Sequence, residues 1–236
     1  MTDPTPIHLH PAAPLAERVL LPGDPHRALA VAQALLDGPK MFNHHRGLWG
    51  YTGMARDGEL LSVQSTGMGG PSAAIVIEEL IDLGAHTLLR IGTCGALRAG
   101  FDTGTLVAAR EVFATDGTSA ALGAGPMLAP DPGLLEATLA IGVQPATVVS
   151  TDLFYDPRSD AAERWLDAGA DVVEMEAAAL LAVAQRRGVD AGVILGVTDQ
   201  LHGEQRDRIP REDLEGLGVK LGDAGWAALQ AAARSR

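Results

Sequence analysis

The chain has 236 residues, with 18 Lys and Arg against 30 Asp and Glu, and a formal charge of −12. That length suits one α/β domain spanning residues 1–236, and 47% hydrophobic residues can bury a large core. An acidic chain with scattered cations excludes a clustered basic face for nucleic acid and a surface that docks on anionic lipid. Of the cations only Lys40 and Lys220 are lysines; the rest are arginines. No apolar run is long enough for a transmembrane helix. The N-terminus MTDPTPIHLHPAAPLAERV lacks a positive head followed by an apolar stretch, so no secretory signal is read there. One cysteine, Cys94, excludes an internal disulfide framework and fits a reducing cytoplasm.

Strands and helices alternate along the chain. Arg18–Leu21 reads as a strand and His26–Leu36 as a helix. Lys40–Met54 and Glu59–Thr66 read as paired strands around Asp57-Gly58. Pro71–Leu83 is an apolar helix with proline in its first turn. Thr87–Ile91 and Thr105–Ala114 read as strands, Thr115–Asp131 as a long loop and Pro132–Ile141 as a helix. Thr147–Ser150 and Asp171–Glu174 are short strands, Ala177–Arg187 a helix and Ala191–Val197 an apolar strand. Gln200–Pro210 is irregular, and Pro210–Ala233 closes the chain as an amphipathic helix. The alternation predicts a three-layer α/β/α sandwich around a mixed central sheet.

Chemistry concentrates where strands end. In Pro22-Gly23-Asp24-Pro25-His26-Arg27 a helix begins, and free N–H groups with Arg27 one turn in favour an anion. A tight turn with a solvated arginine is the plainer alternative. Ser65-Thr66-Gly67-Met68-Gly69-Gly70-Pro71 is neither a phosphate-binding P-loop nor a dinucleotide fingerprint. It allows close backbone approach to a ligand, or simple tight packing. In Leu89-Arg90-Ile91-Gly92-Thr93-Cys94-Gly95, an unpaired Arg90 inside an apolar strand would be costly. It must meet an anion, either a protein carboxylate or a ligand. Cys94 reads as a small packed residue, since no base can be assigned to it.

Val173-Glu174-Met175-Glu176 runs from a strand into a small-residue helix. Glu174 reads as a helix-terminal acid, whereas Glu176 is suited to accept hydrogen bonds from a sugar diol. Gly196-Val197-Thr198-Asp199 ends a buried strand in an acid. Ligands of open α/β sheets collect at the carboxyl ends of strands. Asp24, Thr66, Thr93, Glu176 and Asp199 are therefore expected to converge on one pocket for a small, partly anionic ligand, with Asp199 a candidate acid or base.

Taken in order, the blocks PGDPHRA, NHHRGLWGYTG, STGMGGPSAAIVIEEL, RIGTCGA, STDLFYDP, VVEMEAAAL and VTDQ resemble the nucleoside phosphorylase family, which includes hexameric purine nucleoside phosphorylases and uridine phosphorylases. The resemblance runs from His8 to Gln200. It implies that Gly23, Arg27, Arg90 and Thr93 hold a phosphate co-substrate. It also implies that Arg46 and His8 reach into a neighbouring copy's site, at the phosphate and at the ribose 5′-hydroxyl. Met175 and Glu176 would hold the ribose; Phe154, Val173, Thr198 and Asp199 would line the base. The implied assembly is a hexamer built as a trimer of dimers. No cofactor beyond phosphate and nucleoside is expected, and no acid or histidine cluster has metal-site spacing.

Such a reaction breaks the bond between ribose C1′ and the base. Arginine suits phosphate because its planar fork matches the oxygens. The leaving purine needs a proton or strong hydrogen bond at N7. Asp199 can supply it only if burial or bound phosphate keeps its carboxyl protonated. The pyrimidine branch carries a Gln and an Arg after its FYPG segment. Here Phe154-Tyr155 is followed by Asp156-Pro157-Arg158, with no glutamine, which favours purines. Some family members close an arginine onto the aspartate, and Arg206, Arg208 and Arg211 are the candidates. Gln200 replaces a commoner histidine. His10, His44 and His45 read as surface or interface residues. A uridine phosphorylase, a methylthioadenosine-type nucleosidase using water, and a nucleoside-binding module are the alternatives; the arginine set speaks against the nucleosidase, and Asp199 beside it against the binding module.

Overall fold

The structure, a computed structural model, describes residues 6–202 and 208–234. Its strands are β1 (Arg18–Leu21), β2 (Asp37–Asn43), β3 (Gly50–Met54), β4 (Leu60–Gln64), β5 (Thr87–Ala96), β6 (Leu106–Ala114), β7 (Met127–Leu128), β8 (Gln144–Ser150), β9 (Val172–Glu174) and β10 (Asp190–Gln200). The helices are α1 (Pro25–Leu35), α2 (Gly70–Asp82), α3 (Gly117–Ala121), α4 (Pro132–Ala140), α5 (Ala161–Asp167), α6 (Ala177–Arg187) and α7 (Arg211–Arg234).

The strands form one mixed sheet in the order β10-β6-β8-β9-β5-β1-β4-β3-β2, with β7 beside β6. β10 also pairs with β5 in parallel, so β5, β10, β6, β8 and β9 close into a ring. The central strands are buried on both faces, which is why they read as continuous apolar runs. On β1, Val19 and Leu21 join one core while Leu20 joins the other; on β5, Leu88 and Leu89 divide the same way. Helices α2 and α6 cover the first core, and α1, α4 and α7 the second. This is the expected three-layer arrangement, with its middle layer curled into a partial barrel.

Helix starts follow local chemistry. Asp24 accepts from the amides of His26 (3.1 Å) and Arg27 (3.3 Å) ahead of Pro25 in α1. Asp131 does the same for Leu134 (2.9 Å) ahead of Pro132 in α4. Helix α6 ends on Gly188 at φ +67°, a left-handed residue suited to glycine.

Several expected boundaries change. Lys40–Met54 is not one strand: a 3₁₀ turn at His45–Gly47 separates β2 from β3, and the two pair antiparallel. Asn43 holds that turn, donating to Leu48 O at 2.6 Å while accepting from the His45 amide at 3.2 Å. The expected 115–131 loop contains α3, capped by Asp116, and the short β7. Helix α5 was not expected. β5 runs five residues further than read, through Ala96, and β10 runs on through Gln200. Between Val197 and Asp199 the β10–β5 register shifts, leaving Thr198 without an opposite number.

Helix α7 lies close against the sheet because it is notched. Gly218, Gly222 and Gly225 share one face at helical spacing. A Cβ at Gly222 would sit 2.8 Å from Val31, and one at Gly225 2.9 Å from both Ile91 and Leu20. Gly216 lies on the outer side with open space around it. Among the described residues no helix is long and apolar enough to cross a membrane.

Two substitutions in α7 should therefore move stability in opposite directions. Gly216→Ala gains helix propensity, about 1 kcal/mol, and raises the urea midpoint. Gly225→Ala overpacks against Ile91 and Leu20 and lowers it, by about 1–3 kcal/mol less the same propensity gain.

Candidate active site

The carboxyl ends of β1, β5 and β10 open into one cavity of about 1020 Å³. Gly23 and Arg27 enter it from the β1–α1 junction, Arg90 and Thr93 from β5, Met175 and Glu176 from the β9–α6 junction, and Thr198 and Asp199 from β10. Val173 and Phe154 complete the wall. Asp24 is also in the lining. Thr66 is not: it is buried and its hydroxyl turns to the Pro22 and Gly67 carbonyls at 3.4 Å. The two residues expected to act on a neighbour, His8 and Arg46, do not line this cavity, although Gly47 and Leu48 do.

Arg90 is the centre of the site. Its side chain folds back along β5 over Gly92, where a Cβ would lie 2.5 Å from the guanidinium. Nε donates to Glu174 at 2.9 Å and Nη2 to Glu176 at 2.6 Å, while Nη1 has no hydrogen-bond partner among the described residues. The anion that Arg90 requires is thus a pair of protein carboxylates on two of its nitrogens, with the third open. Burial opposes its charge, and Glu176 and Glu174 more than offset that, holding it above its ordinary value.

Glu174 is more than the helix-terminal acid read from the sequence. It does accept from the amides of Glu176 (2.8 Å) and Ala177 (2.9 Å), as a cap would. It also accepts from Ser150 Oγ on β8 and from Arg90. Glu176 accepts from Arg90 on one oxygen and from the Gly69 amide on the other. That amide is the close backbone approach foreshadowed by the glycine-rich turn; its internal recipient is Glu176. Burial, with Glu174 alongside, pushes the Glu176 carboxyl above its ordinary range despite Arg90.

The N-terminus of α1 is not free for an anion, because Asp24 already caps the His26 and Arg27 amides. The cation of this segment is Arg27 itself. Its stem lies across Gly218 of α7, where a Cβ would come 3.2 Å from Cγ. Burial lowers its affinity for protons, Asp24 works against that, and Arg90 nearby adds to the lowering. Two cations thus face one space.

Beside β5, the register shift in β10 lets adjacent residues Thr198 and Asp199 both face the cavity, which a regular strand forbids. Thr198 Oγ1 donates to Asp199 Oδ2 at 2.8 Å. Arg208 Nε lies 3.2 Å from Asp199 Oδ1, and the two residues form a β-bridge. Of the candidate closing arginines, Arg208 is the one in place. Arg211 begins α7, and Arg206 lies outside the described residues. Gln200 does not line the cavity; its amide lies 3.5 Å from Asp102. Burial pushes the Cys94 thiol well up, which suits a packed residue and not a nucleophile.

At the mouth, Phe154 is 66% exposed and meets Tyr155 edge-on at 5.0 Å. Arg158 forks onto Asp156, with contacts of 2.9 and 2.6 Å, and holds that carboxyl down at about 2.

Two residues outside the cavity are prepared in a different way. Arg46 stands at φ +58°, the one positive-φ residue other than glycine among those described, and is exposed on its turn. His8 is held by Glu79, which accepts from His8 Nδ1 at 2.7 Å and from the amides of Ile7, His8 and Leu9. Glu79 was not singled out from sequence; it sits mid-helix in α2 and gives no local signal. His10 stacks on His45 at 3.8 Å. Among the described residues no group of three or more His, Cys, Asp or Glu could hold a metal ion.

The family model described as Phosphorylase superfamily matches residues 17–221. A DeoD-type purine nucleoside phosphorylase of Jannaschia sp. is 38% identical over 86% of this chain and 90% of its own length. Proteins of the same name are 37% identical in Caldanaerobacter subterraneus subsp. tengcongensis, over 79% and 84%, and 38% identical in Geobacillus kaustophilus, over 81% and 84%. With the family model covering most of the sequence and relatives aligned along most of both lengths, the chain belongs to the phosphorylase superfamily.

Proposed function

We propose that this protein is a purine nucleoside phosphorylase, converting purine ribo- and deoxyribonucleosides and phosphate reversibly to free base and pentose 1-phosphate. The observation that carries the reading is the layout of one cavity. Arg27, Arg90 with its unpaired nitrogen, Glu176, Asp199 and Arg208 all border it.

Phosphate binds between Arg27 and Arg90 Nη1, with the Thr93 hydroxyl and the Gly23 backbone completing the cradle. Its charge faces the sugar and stabilises the cation that develops at C1′ as the bond to the base lengthens. Glu176 accepts from the ribose hydroxyls, exchanging its Gly69 amide for them, and Met175 packs against the sugar. The base lies between Phe154 and Val173 with N7 toward Asp199. Asp199 gives N7 its proton. Since its carboxyl already meets Arg208 and Thr198, Asp199 takes up that proton as phosphate and nucleoside bind, and Arg208 stabilises the carboxylate left behind once N7 has received it.

The same reading assigns Arg46 and His8 to a neighbouring copy. Arg46 sits on an exposed turn beside the cavity mouth. Glu79 occupies His8 Nδ1, which leaves Nε2 for a partner's ribose. The working unit is then a dimer with shared sites, and the assembly a hexamer of three such dimers. No metal or cofactor is used. Arg158 is committed to Asp156, so it does not serve as a uracil reader.

In a base-release assay over inosine, guanosine, adenosine, uridine and methylthioadenosine, the purine nucleosides are cleaved and cleavage requires phosphate. Equal release without phosphate assigns a nucleosidase instead, and tight binding without release assigns a binding module. Asp199→Asn lowers kcat for adenosine by about 100-fold or more, with the KM for phosphate within about threefold of wild type. Undiminished turnover would remove Asp199 as the acid. Shared sites are checked by co-expressing Arg46→Met with Asp199→Asn, each alone nearly inactive. Mixed dimers carry one site in which both residues are intact, so about a quarter of wild-type activity returns on random pairing. No recovery means that each copy uses its own Arg46.

A further inference from the structure

Arg46 is an arginine on a left-handed backbone, at φ +58° on an exposed turn. A residue other than glycine keeps that conformation only where its surroundings over-determine it. Here much of the bracing comes from the N-terminal segment. Asn43 is fully buried, and its side-chain amide is filled to capacity. Its oxygen accepts from the His45 amide at 3.2 Å and from the His10 amide at 2.9 Å. Its nitrogen donates to the carbonyls of Leu48 at 2.6 Å and His45 at 3.4 Å. The ring of His45 lies on the ring of His10, with centroids 3.8 Å apart and planes within 12°. His45 Nδ1 stands 3.2 Å from the His8 carbonyl oxygen; a carbonyl only accepts, so that nitrogen carries the proton. His8 is held in turn by Glu79. One braced unit thus runs from Glu79 through His8 and His45 to Arg46. Neither His10 nor His45 lines the cavity, whereas Gly47 and Leu48 of the same turn do.

We propose that His10 and His45 are positioning residues that hold Arg46 and His8 as one unit at the shared site. The inference rests on the phosphorylase reading, in which those two side chains serve a neighbouring copy's phosphate and ribose 5′-hydroxyl. A long arginine on an exposed turn loses much rotamer and backbone freedom when it meets an anion. A turn whose backbone is already set removes part of that cost before binding. Asn43 joins the two segments through their backbones, and the stack joins them through side chains, so residues 8–10 and 43–48 move together. Loosening the stack therefore weakens two grips at once, the one on phosphate and the one on the 5′-hydroxyl. Arg27, Arg90 and Asp199 are left as they are. What the stack asks of His10 is a flat ring, a role that phenylalanine can take over, whereas His45 must also supply its Nδ1 proton.

The test measures phosphate-dependent base release from adenosine and 5′-deoxyadenosine in wild type, His10→Leu, His10→Phe, Arg46→Met and the double variant His10→Leu/Arg46→Met. His10→Leu removes the ring at similar bulk. It raises the KM for phosphate by about threefold to tenfold, the range that an aromatic pair commands, with kcat within about twofold of wild type. It raises the KM for adenosine by about threefold and leaves that for 5′-deoxyadenosine, which lacks the 5′-hydroxyl, within about 1.5-fold. His10→Phe keeps a ring on His45 and returns the KM for phosphate to within about 1.5-fold of wild type. Added to Arg46→Met, His10→Leu lowers kcat/KM for phosphate no further, because the residue through which it acts is gone. Should His10→Leu fail to fold, His10→Gln, polar but without a ring, reads the same split. Equal losses in the leucine and phenylalanine variants overturn the proposal. So does an unchanged KM for phosphate in His10→Leu, or a full further loss in the double variant. If Arg46→Met itself leaves the KM for phosphate unchanged, the assignment of Arg46 falls and the proposal with it. If wild type releases no base from a purine nucleoside, the phosphorylase reading falls first.

Discussion

A fully buried arginine holding two buried carboxylates is the constraint on which the rest of this structure depends. Removing three charges from water is expensive, and their attraction offsets that only when the remaining lone pairs and protons are satisfied. Here most are. Glu174 collects Ser150, two backbone amides of the α6 start and Arg90; Glu176 collects Gly69 and Arg90. Those partners come from β5, β8, the β9–α6 junction and the start of α2. The charge cluster therefore fixes where the strand ends lie relative to one another. It also makes the cavity end of the sheet costly to deform, because a shift in any one element would strip a buried charge of a partner.

The same cluster ties architecture to chemistry. Two nitrogens of Arg90 are spent on the fold and one remains. Arg27 contributes a second cation that makes no salt bridge among the described residues, across a glycine notch in the last helix. An anion entering there meets positive charge whose orientation has already been set by protein groups, so little reorganisation accompanies binding. The acid is treated differently. Asp199 is held by a neighbouring hydroxyl and by Arg208, whose side chain is 69% exposed. The Arg90 cluster is thus buried and held by protein groups, whereas the partner of Asp199 is largely in solvent.

Much of this was legible in the residues. The apolar strands and the Asp-Pro helix starts announced the alternating fold. The demand of Arg90 for an anion followed from its apolar neighbours alone. What could not be read was which anion, since the choice depends on Glu174 and Glu176 returning some 85 residues later to the same strand end. The split of β2 from β3 was hidden because HHRG looks like a continuation of a polar strand, until Arg46 takes a left-handed turn. Helix α5 was missed because AAERWLD is short and charged and owes its order to Trp165 and Ala162 packing on Leu97. The contact of Arg208 with Asp199 could not be read from spacing, because it comes from a bridge across an irregular stretch.

The register shift at Thr198 has a wider meaning. For most of its length β10 is a structural strand, with Ala191, Val193, Leu195 and Val197 in one core and Ile194 in the other. One extra residue resets that parity just before the strand ends, and the next side chain swings into the cavity. The direction of the acid is thus written in strand length, not in side-chain identity. Exchanging the residue at 199 changes the group presented without changing its aim, whereas a strand of the same length without the extra residue would set Asp199 opposite Ala96 and turn its carboxylate toward the hydrocarbon interior. In this fold, the count of residues itself shapes the cavity wall.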